Sequence, residues 1–212
     1  MDLLLLGTTG LVGRNVLAQA LANPAVTRVI APTRRPLEPH AKLTNPVSDR
    51  LEALLSEGIH QGIDGVVCAL GTTIKKAGSK EAFREVDYAL PLKFARAAHQ
   101  HGVDTFVLVS ASSASVNSSI FYSRIKGEVE RDMGLVGFRS LTIVRPSLIG
   151  GQREEPRLME HIALQFLRIL APILPKKLQI NPADTIAAAC LNAVLVGEPG
   201  FRIRNAENLI AV

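Results

Sequence analysis

Tryptophan is absent, tyrosine occurs only twice, and aromatic residues make up just 4% of the 212 residues. Single-strand nucleic-acid binders stack bases on aromatic platforms, so that class is set aside and no nucleic-acid partner is expected. Cysteine also occurs only twice, at Cys68 and Cys190, far apart and without metal-ligand spacing. This fits neither a disulfide framework nor a zinc site; it fits a reducing interior, and a cytoplasmic location is expected. No apolar run reaches the roughly eighteen residues of a membrane-spanning helix, so none is expected. The nearest approach, LMEHIALQFLRILAPILP, carries Glu160, His161 and Arg168 and ends in prolines. MDLLLLG lacks a basic segment and is too short in its apolar run to read as a secretory signal. Charge of one sign is scarce as well: the net is +5, and like charges form no long block. That reads as a solvated, mildly basic surface, or more sharply as a few placed cations for an anionic ligand.

What is abundant is Leu, Ile, Val and Ala, within a hydrophobic share of 47%. Short apolar runs near 2–6, 27–31, 64–70, 104–109 and 140–145 read as strands covered on both faces. Helical patterns at 11–22, 80–100 and 119–133 lie between them, with a weaker strand and helix at 41–57. After 151 follow a helical stretch at about 156–170, the extended piece KLQIN, and a helix from Pro182 to about 196, with Asn181 as its cap. Alternating β and α implies an α/β fold, a Rossmann-type doubly wound parallel sheet in a single domain over 1–212. Ligands of such sheets gather beyond the carboxyl ends of the strands.

Three strand ends carry signals. After the first comes GTTGLVG, in which Gly7, Thr9, Gly10, Leu11, Val12 and Gly13 form a candidate pyrophosphate cradle opening a helix. The spacing is G-x-x-G-x-x-G, and the plain alternative is a tight strand–helix turn. After the second strand, Thr33, Arg34 and Arg35 stand where an NAD site usually has an acid. Arginines there would bind a 2′-phosphate, so NADP(H) is expected; exposed loop arginines are the alternative. After the third, Ala69, Leu70, Gly71 and Thr72 could meet the cofactor, or form an ordinary turn.

Downstream, LVSASSASVNSSIFYSRIKGEVE places Tyr122 and Lys126 four apart on one helix face, behind a serine-rich loop. An ammonium near a phenol favours the phenolate, which would lower the tyrosine pKa toward neutrality and let it shuttle protons. In isolation such a pair is often only a surface contact; here it follows the glycine turn and the fourth major strand.

Taken together, the glycine turn, the strand-end loop, the serine loop, Y-x-x-x-K and the following VRPS resemble the short-chain dehydrogenase/reductase superfamily over most of the chain. TRRP, FYSRIKGEVE and RPSLIGGQRE are similar to its atypical branch of Tat-interacting-protein-like NAD(P)-binding oxidoreductases. The resemblance implies Tyr122 as catalytic acid/base and Lys126 as its partner, which also holds the nicotinamide ribose. It implies Ser110 or Ser112 as the serine, with Ser110 preferred. It also implies that Arg145, Pro146, Ser147 and Leu148 line the nicotinamide site, unless Arg145 makes a structural ion pair. Residues about 151–180 and the C-terminus are expected to build a small C-terminal substrate lobe.

Within that lobe, Arg153, Arg157 and His161 suit an acidic substrate or a solvated helix face. FLRILAPILPKKL reads as core by default, with a homodimer surface or a membrane or protein contact as alternatives. The leading expectation is an NADP(H)-dependent oxidoreductase acting on a small-molecule carbonyl or alcohol. Its rivals are a cofactor-binding regulator with little catalysis and a nucleotide-sugar epimerase or dehydratase.

Overall fold

The computed structural model describes residues 1–56, 58–150 and 180–209. Seven strands form one sheet: β1 (Asp2–Leu6), β2 (Arg28–Ile30), β3 (Leu43–Thr44), β4 (Gly65–Cys68), β5 (Thr105–Val109), β6 (Ser140–Arg145) and β9 (Gly200–Asn205). Their order is β3-β2-β1-β4-β5-β6-β9, every neighbour parallel. A separate parallel pair joins β7 (Leu148–Gly150) to β8 (Ile180–Pro182).

The alternation of side chains across β1 explains the double winding. Leu4 and Leu6 face one layer, where Phe94, Ala95 and Ala98 of α4 (Leu90–Gln100) and Val129 and Met133 of α5 (Phe121–Gly134) complete the core. Leu3 and Leu5 face the other, against Val12, Val16 and Ala20 of α1 (Leu11–Ala22) and Ile186, Ala187 and Cys190 of α6 (Ala183–Val196). All four leucines are essentially buried, each contributing about 1.5–3 kcal/mol. This is the α/β, Rossmann-type doubly wound sheet expected from the alternating pattern.

The sheet order reverses between β1 and β4, which opens a crevice beyond their carboxyl ends. The helical stretch expected at 80–100 is interrupted in a way that matters for that crevice. Short helices α2 (Ile74–Ala77) and α3 (Lys80–Arg84) lead into a π turn at Glu85–Ala89, where the Leu90 N–H donates to the Glu85 carbonyl. Pro91 accounts for the widening. It has no N–H for the Asp87 carbonyl four residues back, and its ring would clash with that carbonyl in a regular α-helix.

Three expectations are corrected. Asn181 does not cap a helix: Pro182 occupies the cap position, and Asn181 is fully buried. Its Oδ1 accepts from the Ser147 N–H at 2.8 Å, and its Nδ2 donates to the carbonyls of Ala206 (2.9 Å) and Leu209 (3.3 Å). β9 was not expected at all; it forms the far edge of the sheet, beside β6. The helix and strand sought in 41–57 are reduced to the two-residue β3 and a 3₁₀ turn at Leu51–Leu55. Nearly all of the lobe expected at about 151–180, with Arg153, Arg157 and His161, the helical stretch at 156–170 and FLRILAPILPKKL, lies outside the described residues. No helix of the described residues is long and apolar enough to cross a membrane.

Candidate active site

The glycine turn is built by two contacts that admit no side chain. Gly7 takes φ +86°, and a Cβ there would lie 2.5 Å from the Ala69 carbonyl oxygen. A Cβ on Gly13 would overlap the Gly7 carbonyl. Gly7 and Gly13 therefore lock β1, α1 and the end of β4 together. Gly10 differs: a Cβ there would lie 3.3 Å from the Gly7 oxygen, and Gly10 caps α1 without any side-chain hydrogen bond. Among the described residues the first-turn N–H groups of α1 thus have no side-chain acceptor, and the capping glycine puts no Cβ beside them.

Beyond this turn lies a cavity of about 530 Å³. One wall is Thr9, Gly10, Leu11 and Val12; another is Ala69, Leu70, Gly71 and Thr72 at the end of β4. Ser110, at the end of β5, and Tyr122 and Lys126, from α5, complete it. The Ser110 hydroxyl is buried and has no hydrogen-bond partner among the described residues. Ser112 is exposed, its N–H donates to the Pro146 carbonyl at 2.8 Å, and it does not line the cavity. The serine-rich loop can cross α5 closely because position 127 is glycine; a Cβ there would overlap the backbone of Ser115 and Val116.

Lys126 is buried and pairs with the buried Asp87 carboxylate at 2.7 Å. The second Asp87 oxygen accepts the Thr72 N–H at 2.8 Å, which ties the loop after β4 to the π turn. Burial alone would push the Lys126 ammonium down, but Asp87, with Tyr122, more than offsets it, and the group stays above the usual lysine value. Tyr122 packs its ring on Phe83, centroids 5.7 Å apart. Its expected shift is reversed. Burial pushes the phenol up and Asp87 adds to this, while Lys126 opposes both without prevailing. The phenol therefore lies above the ordinary tyrosine value, not below it.

The remaining candidates sit elsewhere. Thr33 is buried and turns its hydroxyl to the Arg35 carbonyl at 2.6 Å, while Arg34 and Arg35 are exposed at the end of β2, outside the lining of this cavity. Arg145 is bound to the buried carboxylate of Glu130, so it makes the structural ion pair and not a wall of the cavity. Pro146, Ser147 and Leu148 also lie off the cavity; Ile149, on β7, reaches it. Sequence reasoning passed over Asp87, Arg14, Lys76, Val109 and Ile149, all of which line it. For Asp87 a signal existed in DYALP, where the proline four residues on forces the turn that presents the acid. Among the described residues no cluster of metal-ligating side chains occurs.

A dinucleotide fits these residues. The uncapped helix start and the bare Gly10 suit a pyrophosphate, and Ser110, whose buried hydroxyl has no partner among the described residues, lines the same cavity.

Comparison with solved structures gives the same fold. MoeE5 in complex with UDP-glucose and NAD aligns with a TM-score of 0.71 at 18% identity, over 96% of this chain and 75% of that one. A short-chain dehydrogenase/reductase family oxidoreductase from Burkholderia thailandensis aligns with a TM-score of 0.70 at 17% identity, over 98% and 92%. Sequence relatives are nearer. Protein fmp52, mitochondrial, of Emericella nidulans is 40% identical over 90% of this chain and 86% of its own length. Protein FMP52, mitochondrial, of Debaryomyces hansenii is 31% identical over 94% and 89%. These names overturn the cytoplasmic expectation, which rested on reduced cysteines that a second reducing compartment accommodates equally. The HIM1 family pattern matches residues 44–177, and with these relatives it shows that the chain belongs to the HIM1 family.

Proposed function

We propose that the chain is an NADP(H)-dependent oxidoreductase that reduces a carbonyl on a small molecule. The observation that carries this reading is the meeting of Ser110, Tyr122 and Lys126 in the cavity that the glycine turn opens. A bound nicotinamide cofactor supplies the hydride. Gly10 and the first turn of α1 receive the pyrophosphate. Arg34 and Arg35, exposed and in no ion pair among the described residues, take the 2′-phosphate. The Ser110 hydroxyl donates to the substrate's carbonyl oxygen. The Tyr122 phenol gives its proton to that oxygen, and its raised pKa keeps the proton in place at neutral pH. Lys126 stays charged beside both groups and holds the ribose. The branch resembling Tat-interacting-protein-like oxidoreductases is part of this reading, as is the mitochondrial compartment of the fungal relatives. Calorimetric titration with NADPH and NADH tests it: a clear preference for NADPH supports it, and equal affinity removes the role given to the arginines.

A further inference from the structure

Asp87 is the least expected member of the cavity. A buried carboxylate is costly unless paired, and the fold goes to some length to present this one. Pro91 opens the helix around it, both of its oxygens are engaged, and its partner is the one lysine beside Tyr122. A lysine kept only to promote the phenolate needs no such acid; an acid at 2.7 Å works against that task.

We propose that Asp87 is a positioning residue that offsets, at Tyr122, part of the positive charge of Lys126, so that the buried site is set to give a proton to a substrate oxygen and not to take one. Lys126 then keeps its hydrogen-bonding ammonium, fixed in direction by the ion pair, while less of its charge is felt at the phenol. The Thr72 N–H bond couples this arrangement to the loop after β4, so the charge pair and that wall of the cavity are held as one unit. The inference rests on Tyr122 being the acid of the proposed reaction.

Other ionisable groups around the cavity do not replace Asp87 in this role. Cys68, at the end of β4, is pushed up to about 12 by burial and remains a neutral thiol. Arg14, from α1, and Lys76, from α2, line the cavity as cations and would lower the phenol, not raise it. Glu130 is taken by Arg145, and Asp132 by Arg131 and Tyr88.

The composition supplies a direct readout. There is no tryptophan, and the second tyrosine, Tyr88, is a structural residue whose hydroxyl donates to Asp132. In a Tyr88→Phe background, near-ultraviolet tyrosinate absorbance therefore titrates Tyr122 alone. Asp87→Asn removes the charge and retains a carbonyl to accept the Thr72 N–H. The phenol midpoint is expected to fall by ~1 pH unit or more. A midpoint that stays or rises overturns the proposal, since Asp87 would then serve only to keep Lys126 charged. Asp87→Asn with Lys126→Met, which removes both charges of the pair together, guards against misfolding of the single variant. Its midpoint is expected to stay within about a unit of the parent's, and a rise beyond that overturns the proposal. The titration needs no substrate, so its result stands whether or not the proposed reaction is found.

Discussion

Gly13 lies against the carbonyl of Gly7 so closely that no Cβ fits between them, whereas a Cβ on Gly10, midway along the same turn, would meet the same oxygen at 3.3 Å, a tight contact that a small shift relieves. The three glycines of one motif thus divide between fold and ligand. Gly13→Ala is expected to cost about 3 kcal/mol or more, lowering Tm by about 6 °C or more in thermal denaturation. Gly10→Ala is expected to leave Tm within about 2 °C, because its methyl needs only a small shift, while weakening NADPH about tenfold or more by blocking the approach of the pyrophosphate. Equal loss of stability in both variants would contradict the division.

Arg34 and Arg35 form no ion pair among the described residues and stand exposed where β2 ends. Replacing both with alanine is expected to weaken NADPH by about tenfold or more and leave NADH within about twofold. Binding calorimetry with each cofactor checks this. A parallel loss of both would mean that the arginines act on the fold or on shared phosphates.

Tyr122→Phe removes the proton donor and keeps the ring on Phe83. Turnover is expected to fall by about 10²- to 10⁴-fold, with NADPH affinity nearly unchanged. The pH profile of the parent follows from the same group. Reduction needs the protonated phenol, so the rate is lost as pH rises through the Tyr122 pKa, which burial holds above the ordinary tyrosine value. A rate limb attributable to Tyr122 is therefore expected only on the alkaline side of that value. A limb near neutrality that disappears in Tyr122→Phe would contradict the raised phenol.

Asn181 joins the segment after β6 to the C-terminal residues through three hydrogen bonds, the two to the C-terminal carbonyls buried. Asn181→Ala leaves the Ser147 N–H and two carbonyls without that partner and is expected to cost about 2–4 kcal/mol. Chemical denaturation reads this directly. A loss under about half a kcal/mol would show that water or neighbouring groups substitute freely.

The parts of this fold that could be read from sequence are those where burial on both faces leaves a continuous apolar run, as in LLLL of β1 and TFVLV of β5. β9 escaped because it is an edge strand whose alternating Phe201, Arg202, Ile203 and Arg204 are mostly exposed, so no core pattern marks it. Asn181 escaped for a different reason. Asn-Pro before an apolar run imitates a helix start, and only the returning C-terminal segment shows that the amide points inward. In the site, the glycine turn and the Tyr122–Lys126 spacing are local patterns and were legible. Asp87 acts across elements, and an acid within a polar helical stretch looks solvated until the π turn at Glu85–Ala89 brings it to Lys126. The direction of the Tyr122 shift was misjudged because the lysine is visible in the sequence, whereas the burial that outweighs it, with Asp87 adding to the rise, is not.

The central claim is that this cavity transfers hydride from NADPH to a small carbonyl compound. Supplying NADPH deuterated at the transferable position, with a panel of aldehydes and ketones, tests it most directly. Deuterium is expected on the former carbonyl carbon of a product, matched by released NADP⁺ and abolished by Tyr122→Phe. Tight NADPH binding with no label transferred to any compound of a broad panel would contradict it.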